Sequence, residues 1–129
     1  MEDAITAIVV DDSTAVRRIL IKLLTEAGVT LQGEAGTAEA AVDLCKENTP
    51  DLIFLDVMMP GISGIDVIPA LHELSPMAKI IMLTSVSERD TVLKAHEAGA
   101  HNYLLKPFDV NNLKRQIQKL CTQIEEGKP

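Results

Sequence analysis

Short apolar runs alternate along the chain with longer segments whose apolar residues recur every three or four positions. The first run, residues 7–10, reads Ala-Ile-Val-Val, and the run at 52–55 is apolar throughout. Strands that are apolar at consecutive positions are expected to be covered on both faces, as in a parallel sheet flanked by helices. A weaker run at 31–35 and clearer ones at 79–83 and 102–105 predict three further strands.

Helical periodicity occupies the segments between these strands. Apolar spacing predicts helices from about residue 13 to 27, after residue 37, after Ser63, up to Gly99, and over 110–124. Pro69 lies inside the third helix and removes one of its backbone hydrogen bonds, so we expect a kink there. Five successive strand–helix units predict an α/β fold with a doubly wound, five-stranded parallel sheet.

Length and charge narrow the class of protein. The 129 residues fit one domain over 1–129, and the 2% aromatic content predicts an aliphatic core. A net charge of −7 argues against direct nucleic-acid binding. Since neither a membrane-length apolar run nor a basic signal start is visible, we expect a cytoplasmic protein without membrane insertion. Cys45 and Cys121 fall in helical apolar patterns and are expected to be free core thiols.

Polar residues follow or end four of the predicted strands at their carboxyl ends. Asp11 and Asp12 follow the first strand, Asp56 the third, Thr84 the fourth and Lys106 the fifth. Taken singly, each has an ordinary structural explanation as a helix cap, a turn, a strand end or a surface lysine. Because parallel strands end at one edge of the sheet, we expect all five to meet in one crevice. Three carboxylates there require compensating positive charge.

Lys106 and a divalent cation would supply that charge. Oxygen ligands without a nearby His or Cys select Mg²⁺, with Mn²⁺ as a substitute, over zinc. A carboxylate in such a pocket can attack phosphorus to form an acyl phosphate. The cation and Lys106 would neutralise the transferring group, and the Thr84 hydroxyl would donate to one of its oxygens. The sequence therefore contains the parts of a phosphoryl-accepting site.

Four motifs carry a family resemblance. They are Val-Val-Asp-Asp-Ser at 9–13, Leu-Asp-Val-Met-Met-Pro-Gly at 55–61, Leu-Thr-Ser at 83–85 and Lys-Pro-Phe at 106–108. In this order and spacing they resemble the receiver domain of bacterial two-component response regulators, the CheY-like group, over about residues 5–120. The resemblance implies the flavodoxin-like strand order 2-1-3-4-5, for which CheY is a standard example, with five helices.

The same resemblance implies roles for individual acids. Asp56 would be the phosphoacceptor, and a phosphohistidine on a sensor histidine kinase would be the donor. Asp12 would bind Mg²⁺ directly and Asp11 through a water, while Asp56 and the Met58 backbone carbonyl would complete the protein ligands. Mg²⁺ would therefore be the cofactor of a phosphorylation that the domain itself catalyses, without acting as an enzyme on other substrates.

The resemblance also implies a switch and an output surface. The Thr84 hydroxyl would move to the phosphoryl group while the Tyr103 ring turns inward, and the Lys106–Pro107 peptide bond would be cis. A downstream protein would bind the surface of the fourth helix, fifth strand and fifth helix. The residues expected near that partner are Arg89, Lys94, Tyr103, Lys114 and Lys119.

The output itself is left open by the sequence. Arg17 and Arg18 are similar to the chemotaxis subgroup, which suggests the flagellar motor switch as a partner. The chain ends soon after the fifth helix, so it is either a free-standing regulator or the receiver fragment of a larger regulator with a DNA-binding output domain. We expect a monomer, with transient dimerisation left open.

Two other classes of protein share parts of this pattern. An aspartyl-nucleophile phosphohydrolase would require a second acid two residues after Asp56, where Met58 stands. A flavodoxin-like flavin carrier would bind a phosphate in its first loop, where Asp11 and Asp12 would repel it.

Met58 and Val86, the latter two residues after Thr84, cannot hydrogen-bond an attacking water. We therefore expect slower self-dephosphorylation than in relatives with polar residues at both places.

Overall fold

The structure, a computed structural model, describes residues 4–85 and 89–127. Within these ranges five strands alternate with five helices, as the sequence predicts. The strands are β1 (Thr6–Val10), β2 (Thr30–Ala35), β3 (Leu52–Asp56), β4 (Lys79–Ser85) and β5 (Asn102–Lys106). The helices are α1 (Thr14–Glu26), α2 (Ala38–Glu47), α3 (Gly64–Leu74), α4 (Arg89–Ala98) and α5 (Val110–Gly127). Predicted boundaries differ from these by a few residues.

All neighbouring strands are parallel, in the order β2-β1-β3-β4-β5. This confirms the doubly wound, flavodoxin-like arrangement. β1, β3 and β4 have a neighbour on each side, whereas β2 and β5 form the edges. The register of β2 against β1 shifts between Ala7 and Ile8, so that Gln32 is skipped as a bulge residue. The weak apolar pattern of β2 in the sequence is explained by its place at an edge.

Two apolar layers cover the sheet, and alternate residues of the central strands contribute to each. One layer packs under α2, α3 and α4, and its strand residues include Ile8, Val10, Ile53 and Leu55. The other packs under α1 and α5, and its strand residues include Ala7, Val9, Leu52 and Phe54. Because both faces of β1 and β3 are buried, these strands are apolar at consecutive positions.

Helix α3 begins after Ser63, whose hydroxyl oxygen accepts a hydrogen bond from the Asp66 amide at 3.2 Å. The helix continues through Pro69 to its end at Leu74. The predicted helix is confirmed, and the kink at Pro69 stays a prediction. Both cysteines are free thiols, with Cys45 buried as predicted and Cys121 half-buried. Within 4–85 and 89–127, none of the helices has the length and apolar character needed to span a bilayer.

The start of α3 packs directly on the end of β3. The amide of Gly64 donates a hydrogen bond to the Val57 carbonyl at 2.9 Å. A Cβ atom on Gly64 would overlap the carbonyl oxygen of Asp56 and would lie 2.9 Å from its carbonyl carbon. Both are backbone atoms, which cannot rotate aside as a side chain can. The glycine therefore sets how closely α3 approaches the strand that carries Asp56.

We expect Gly64→Ala to lower the free energy of unfolding by about 1–3 kcal/mol, the usual cost of overpacking a tight contact. Urea denaturation followed by circular dichroism measures this change. Gly127→Ala is the matched control, because an added Cβ there meets nothing within 4 Å, and its effect should stay within about 0.5 kcal/mol. Equal stabilities of the two variants would contradict the close approach.

Candidate functional site

The carboxyl ends of four strands place polar side chains at one edge of the sheet. Asp11 directly follows β1, Asp56 is the last residue of β3, Thr84 is the second-last residue of β4, and Lys106 is the last residue of β5. Asp11, Asp56 and Thr84 are buried, although Asp and Thr side chains are usually exposed. The sequence predicts that these residues meet at this edge, and Lys106 contacts both Asp11 and Asp56 there.

Lys106 joins the two buried acids. Its Nζ lies 2.8 Å from Oδ2 of Asp11 and 3.2 Å from Oδ1 of Asp56. Burial alone would lower the pKa of Lys106, but the hydrogen bond to Asp11 and the charge of Asp56 outweigh it and raise that pKa. The ammonium group is therefore firmly charged where the two carboxylates converge.

Asp12 adds a third carboxylate to the same place. One oxygen from each of Asp11, Asp12 and Asp56 can be chosen so that all three lie within 4.8 Å of one another. Asp12 is exposed while the other two acids are buried, so the cluster opens to solvent on its side. Three carboxylate oxygens without sulphur or imidazole form a donor set that suits a hard cation such as Mg²⁺. The cluster thus fits the cation that the sequence predicts.

The environment of Asp56 disfavours its charged form. Burial raises the pKa of Asp56 to about 6, with a further contribution from the negative charge of Asp11. Lys106 and the backbone amide of Met58, which donates to Asp56 Oδ1 at 3.3 Å, act in the opposite direction without cancelling the rise. A proton or a cation at this carboxylate therefore relieves an unfavourable charge.

Known proteins show which family has this arrangement. The response regulator receiver domain family matches residues 7–118 of the chain. This chain belongs to that family. CheY of Thermotoga maritima, a chemotaxis protein, is 34% identical over 113 residues, which cover 88% of this receiver domain and 94% of that protein.

Two further proteins extend the comparison. The transcriptional regulatory protein PdtaR of Mycobacterium tuberculosis is 37% identical over 121 residues, covering 92% of this receiver domain but only 58% of PdtaR. The receiver domain thus spans less than two-thirds of that relative. A crystal structure of a Burkholderia pseudomallei response regulator with a phosphorylated aspartic acid, a calcium ion and citrate superposes with a TM-score of 0.79. It is 26% identical, over 95% of this chain and 71% of that one.

The loop between β1 and α1 of the receiver domain is fixed by short-range hydrogen bonds. Asp11 Oδ1 accepts from the Ser13 amide at 2.8 Å, and the Ser13 hydroxyl accepts from the Val16 amide at 3.3 Å. Ser13 is therefore the N-cap of α1. The ordinary explanation of Asp12 as a helix cap does not hold, since the neighbouring serine has that place. Asp12 remains available to the acid cluster.

Of the predicted switch residues, Thr84 lies at the same edge of the sheet as the acids, whereas Tyr103 and the residues with predicted output roles are on β5, α4 and α5. Tyr103 is 52% exposed on β5, and the Lys106–Pro107 peptide bond is cis, as the resemblance implies. Lys94, Lys114 and Lys119 are exposed on α4 and α5. Two predicted residues cannot be placed in the same way: the Arg89 side chain and all of Val86 lie outside what the structure describes. The ligand role of the Met58 carbonyl stays a prediction.

One contact beside the acids was not predicted from the sequence. In the sequence, Arg17 and Arg18 indicate only a similarity to the chemotaxis subgroup. In the structure, Arg17 donates from Nη1 to the carbonyl oxygen of Asp11 at 2.6 Å and from Nε to Glu34 at 2.7 Å. Glu34 lies on β2, seventeen residues after Arg17 in the sequence. Helical and strand spacing carry no signal for such a contact between two separate elements.

Asp56→Asn should stabilise the metal-free receiver domain at neutral pH. The folded-state pKa of about 6 exceeds the ordinary 3.8, so wild-type stability falls as the pH rises through that window. The variant does not ionise there. It should therefore unfold with a free energy about 1–3 kcal/mol higher above pH 6.5 and roughly equal to wild type near pH 3.5.

Urea denaturation in a chelator across pH 3.5–8 measures this difference. Asp43→Asn is the control, because Asp43 is exposed on α2, and its effect should be small at every pH. An Asp56→Asn variant that is less stable than wild type at pH 7.5 would show that burial and the charge of Asp11 do not disfavour the ionised form of Asp56.

Proposed function

We propose that this receiver domain takes a phosphoryl group onto Asp56 from a phosphohistidine of a sensor histidine kinase. The observation that carries the proposal is the position of this carboxylate, buried at a strand end, 3.2 Å from the Lys106 ammonium and within 4.8 Å of two further acids. The grouping supplies a nucleophile, a fixed positive charge and a cation site in one crevice. Membership of the receiver family supports the same chemistry.

In the proposed transfer, one carboxylate oxygen of Asp56 forms a bond to phosphorus. The bond between phosphorus and the donor imidazole nitrogen breaks, and that nitrogen keeps the electron pair and is protonated. Lys106, already beside Oδ1, would bind an oxygen of the incoming group, and the Thr84 hydroxyl would donate to another. The product is an acyl phosphate on Asp56 at the end of β3. Lys106 of β5 and Thr84 of β4 would bind its phosphoryl oxygens.

The proposed Mg²⁺ ligands are the carboxylates of Asp11, Asp12 and Asp56 with the backbone carbonyl of Met58. When bound, the cation neutralises phosphoryl oxygens and the surplus negative charge of the acids. The Burkholderia structure supports this proposal, because a relative of the same fold holds a phosphorylated aspartic acid and a calcium ion. Mn²⁺, a similar hard cation, is proposed as a substitute.

The proposed output is a change at the surface formed by α4, β5 and α5. The Thr84 hydroxyl would move to the phosphoryl group, and the half-exposed ring of Tyr103 would turn into the space so vacated. A groove of about 540 Å³ already lies along this surface, lined in part by Leu93, Tyr103 and Leu105, which are all exposed. Exposed apolar residues, together with exposed lysines on α4 and α5, suit an acidic, amphipathic protein segment as partner.

The downstream partner is the finer part of the proposal. Similarity to a chemotaxis CheY supports the flagellar motor switch as the target, whereas similarity to PdtaR supports a role in regulating transcription. In both cases we propose a cytoplasmic phosphoacceptor that catalyses only its own phosphorylation and dephosphorylation. Binding of a motor-switch protein only to the phosphorylated domain would support the first target, and its absence would favour the second.

Incubation with Mg²⁺ and acetyl phosphate should add the mass of one phosphoryl group to the wild-type domain. Asp56→Asn should give no adduct, because it lacks the nucleophilic oxygen, while the exposed control Asp43→Asn should behave as wild type. A chelator should suppress the reaction. Intact-mass spectrometry measures each result. An adduct that persists in Asp56→Asn would place the phosphoacceptor elsewhere.

Met58→Asn should shorten the lifetime of the phosphorylated domain several-fold. The Met58 side chain is 66% exposed two residues after Asp56, and an amide in its place can hold an attacking water by hydrogen bonding. The decay of the adduct after removal of the donor measures the rate. Met77→Asn, at a position that is 89% exposed just before β4, is the control and should leave the rate unchanged, as should Met58→Leu. An equal lifetime in Met58→Asn and wild type would contradict this role.

A further inference from the structure

The conformation of the loop that carries Asp11 and Asp12 depends on a side chain outside the acid cluster. The guanidinium of Arg17 donates to three acceptors: the Asp11 carbonyl oxygen at 2.6 Å, Glu34 Oε1 at 2.7 Å and the Thr14 hydroxyl at 3.3 Å. Its side chain is only 17% exposed. An arginine held at three points is ordered far more than a surface side chain, and its planar fork favours a single arrangement.

The hydrogen bond from Arg17 to the Asp11 carbonyl fixes the backbone between Asp11 and Asp12. That carbonyl belongs to the peptide unit that joins Asp11 to Asp12, and a peptide unit is planar. Fixing its oxygen therefore fixes the direction in which the chain enters Asp12. The side chain of Asp11 is held separately, by Lys106 and by the Ser13 amide. Arg17 thus constrains the backbone of the exposed acid, Asp12.

Glu34 holds the arginine in turn. The hydrogen bond from Arg17 is the first cause of a lowered pKa of Glu34, so the pair favours the charged form of this carboxylate. Residues of the same strand end support the loop as well, since the Asp11 amide donates to the Ala35 carbonyl at 3.0 Å. Gly36 borders the guanidinium, since a Cβ there would lie in ordinary van der Waals contact with Arg17 Nη1 at 3.5 Å.

We propose that Arg17, anchored by Glu34, is a positioning residue for the metal site: it holds the peptide between Asp11 and Asp12 so that the carboxylates meet the cation. The inference rests on the proposed function, since it presumes that Mg²⁺ binds these acids. It assigns no contact between Arg17 and the cation or the phosphoryl group.

The charge of Arg17 and its positioning role predict opposite effects on Mg²⁺ binding when the arginine is removed. A positive group near an acidic cluster repels Mg²⁺, so removing it should strengthen Mg²⁺ binding by simple electrostatics. Loss of a positioning contact should weaken Mg²⁺ binding, commonly by 10-fold or more for groups that orient metal ligands. The sign of the change therefore separates the two effects. Arg18 is the matched control, because it also pairs with Glu34, at 3.4 Å, yet is 64% exposed and has no contact with the Asp11 carbonyl.

The experiment is isothermal titration of Mg²⁺ into the full chain, well below the unfolding temperature, with folding verified by circular dichroism. We expect Arg17→Ala to raise the Mg²⁺ dissociation constant about 10-fold and Arg18→Ala to leave it equal or slightly lower. Arg17→Lys keeps the charge, but one ammonium group cannot reproduce the fork, so it should resemble Arg17→Ala. The double variant Arg17→Ala/Glu34→Ala has the wild-type net charge and should also bind weakly.

Stability is measured on the same variants without Mg²⁺. A lower unfolding temperature of Arg17→Ala with an unchanged dissociation constant would overturn the inference, because the arginine would then be structural only. Tighter binding by Arg17→Ala, or wild-type binding by the double variant, would also overturn it. Failure of the wild-type chain to bind Mg²⁺ is a different result, since it would contradict the proposed metal site itself.

Discussion

The repulsion among three carboxylates, and its partial neutralisation by one lysine, is the constraint on which the site depends. Asp11 and Asp56 are buried at the ends of adjacent strands, so neither can turn to solvent, and Lys106 contacts both. One positive charge among three acids leaves the crevice net negative. The pocket consequently gains stability from any ligand that brings positive charge. Burial first, and the charge of Asp11 second, raise the pKa of Asp56.

The sheet order explains why this imbalance persists in a folded domain. β1 and β3 are neighbours at the centre of the sheet, buried on both faces by separate apolar layers. Their aliphatic side chains supply the stability that the polar ends of the same strands lose. The stabilising apolar contacts and the acidic cluster therefore occupy different stretches of the same strands.

The alternation of strands and helices and the central site residues could be predicted because both follow from periodic patterns, whereas the strand order was implied by the family resemblance. Consecutive apolar residues identify buried strands, and the polar residue at each strand end has only one edge of the sheet to face, as Asp56 and Lys106 show. Contacts between separate elements leave no such pattern. The bond from Arg17 to the Asp11 carbonyl, and the space that Gly64 leaves beside Asp56, depend on how a helix meets a strand. Local spacing could not indicate them, and it left Asp12 as a possible cap of α1, a place that Ser13 occupies in the structure.

The last strand differs from the central ones in a way that bears on how such domains diversify. Every residue of β3 is buried, whereas in β5 only Leu104 is buried and Tyr103 and Leu105 are exposed. Substitutions at the exposed positions of β5 can therefore accumulate with little loss of buried apolar contacts. Descendants of one ancestral chain can thus acquire new binding preferences along this edge while the acids at the other strand ends stay unchanged.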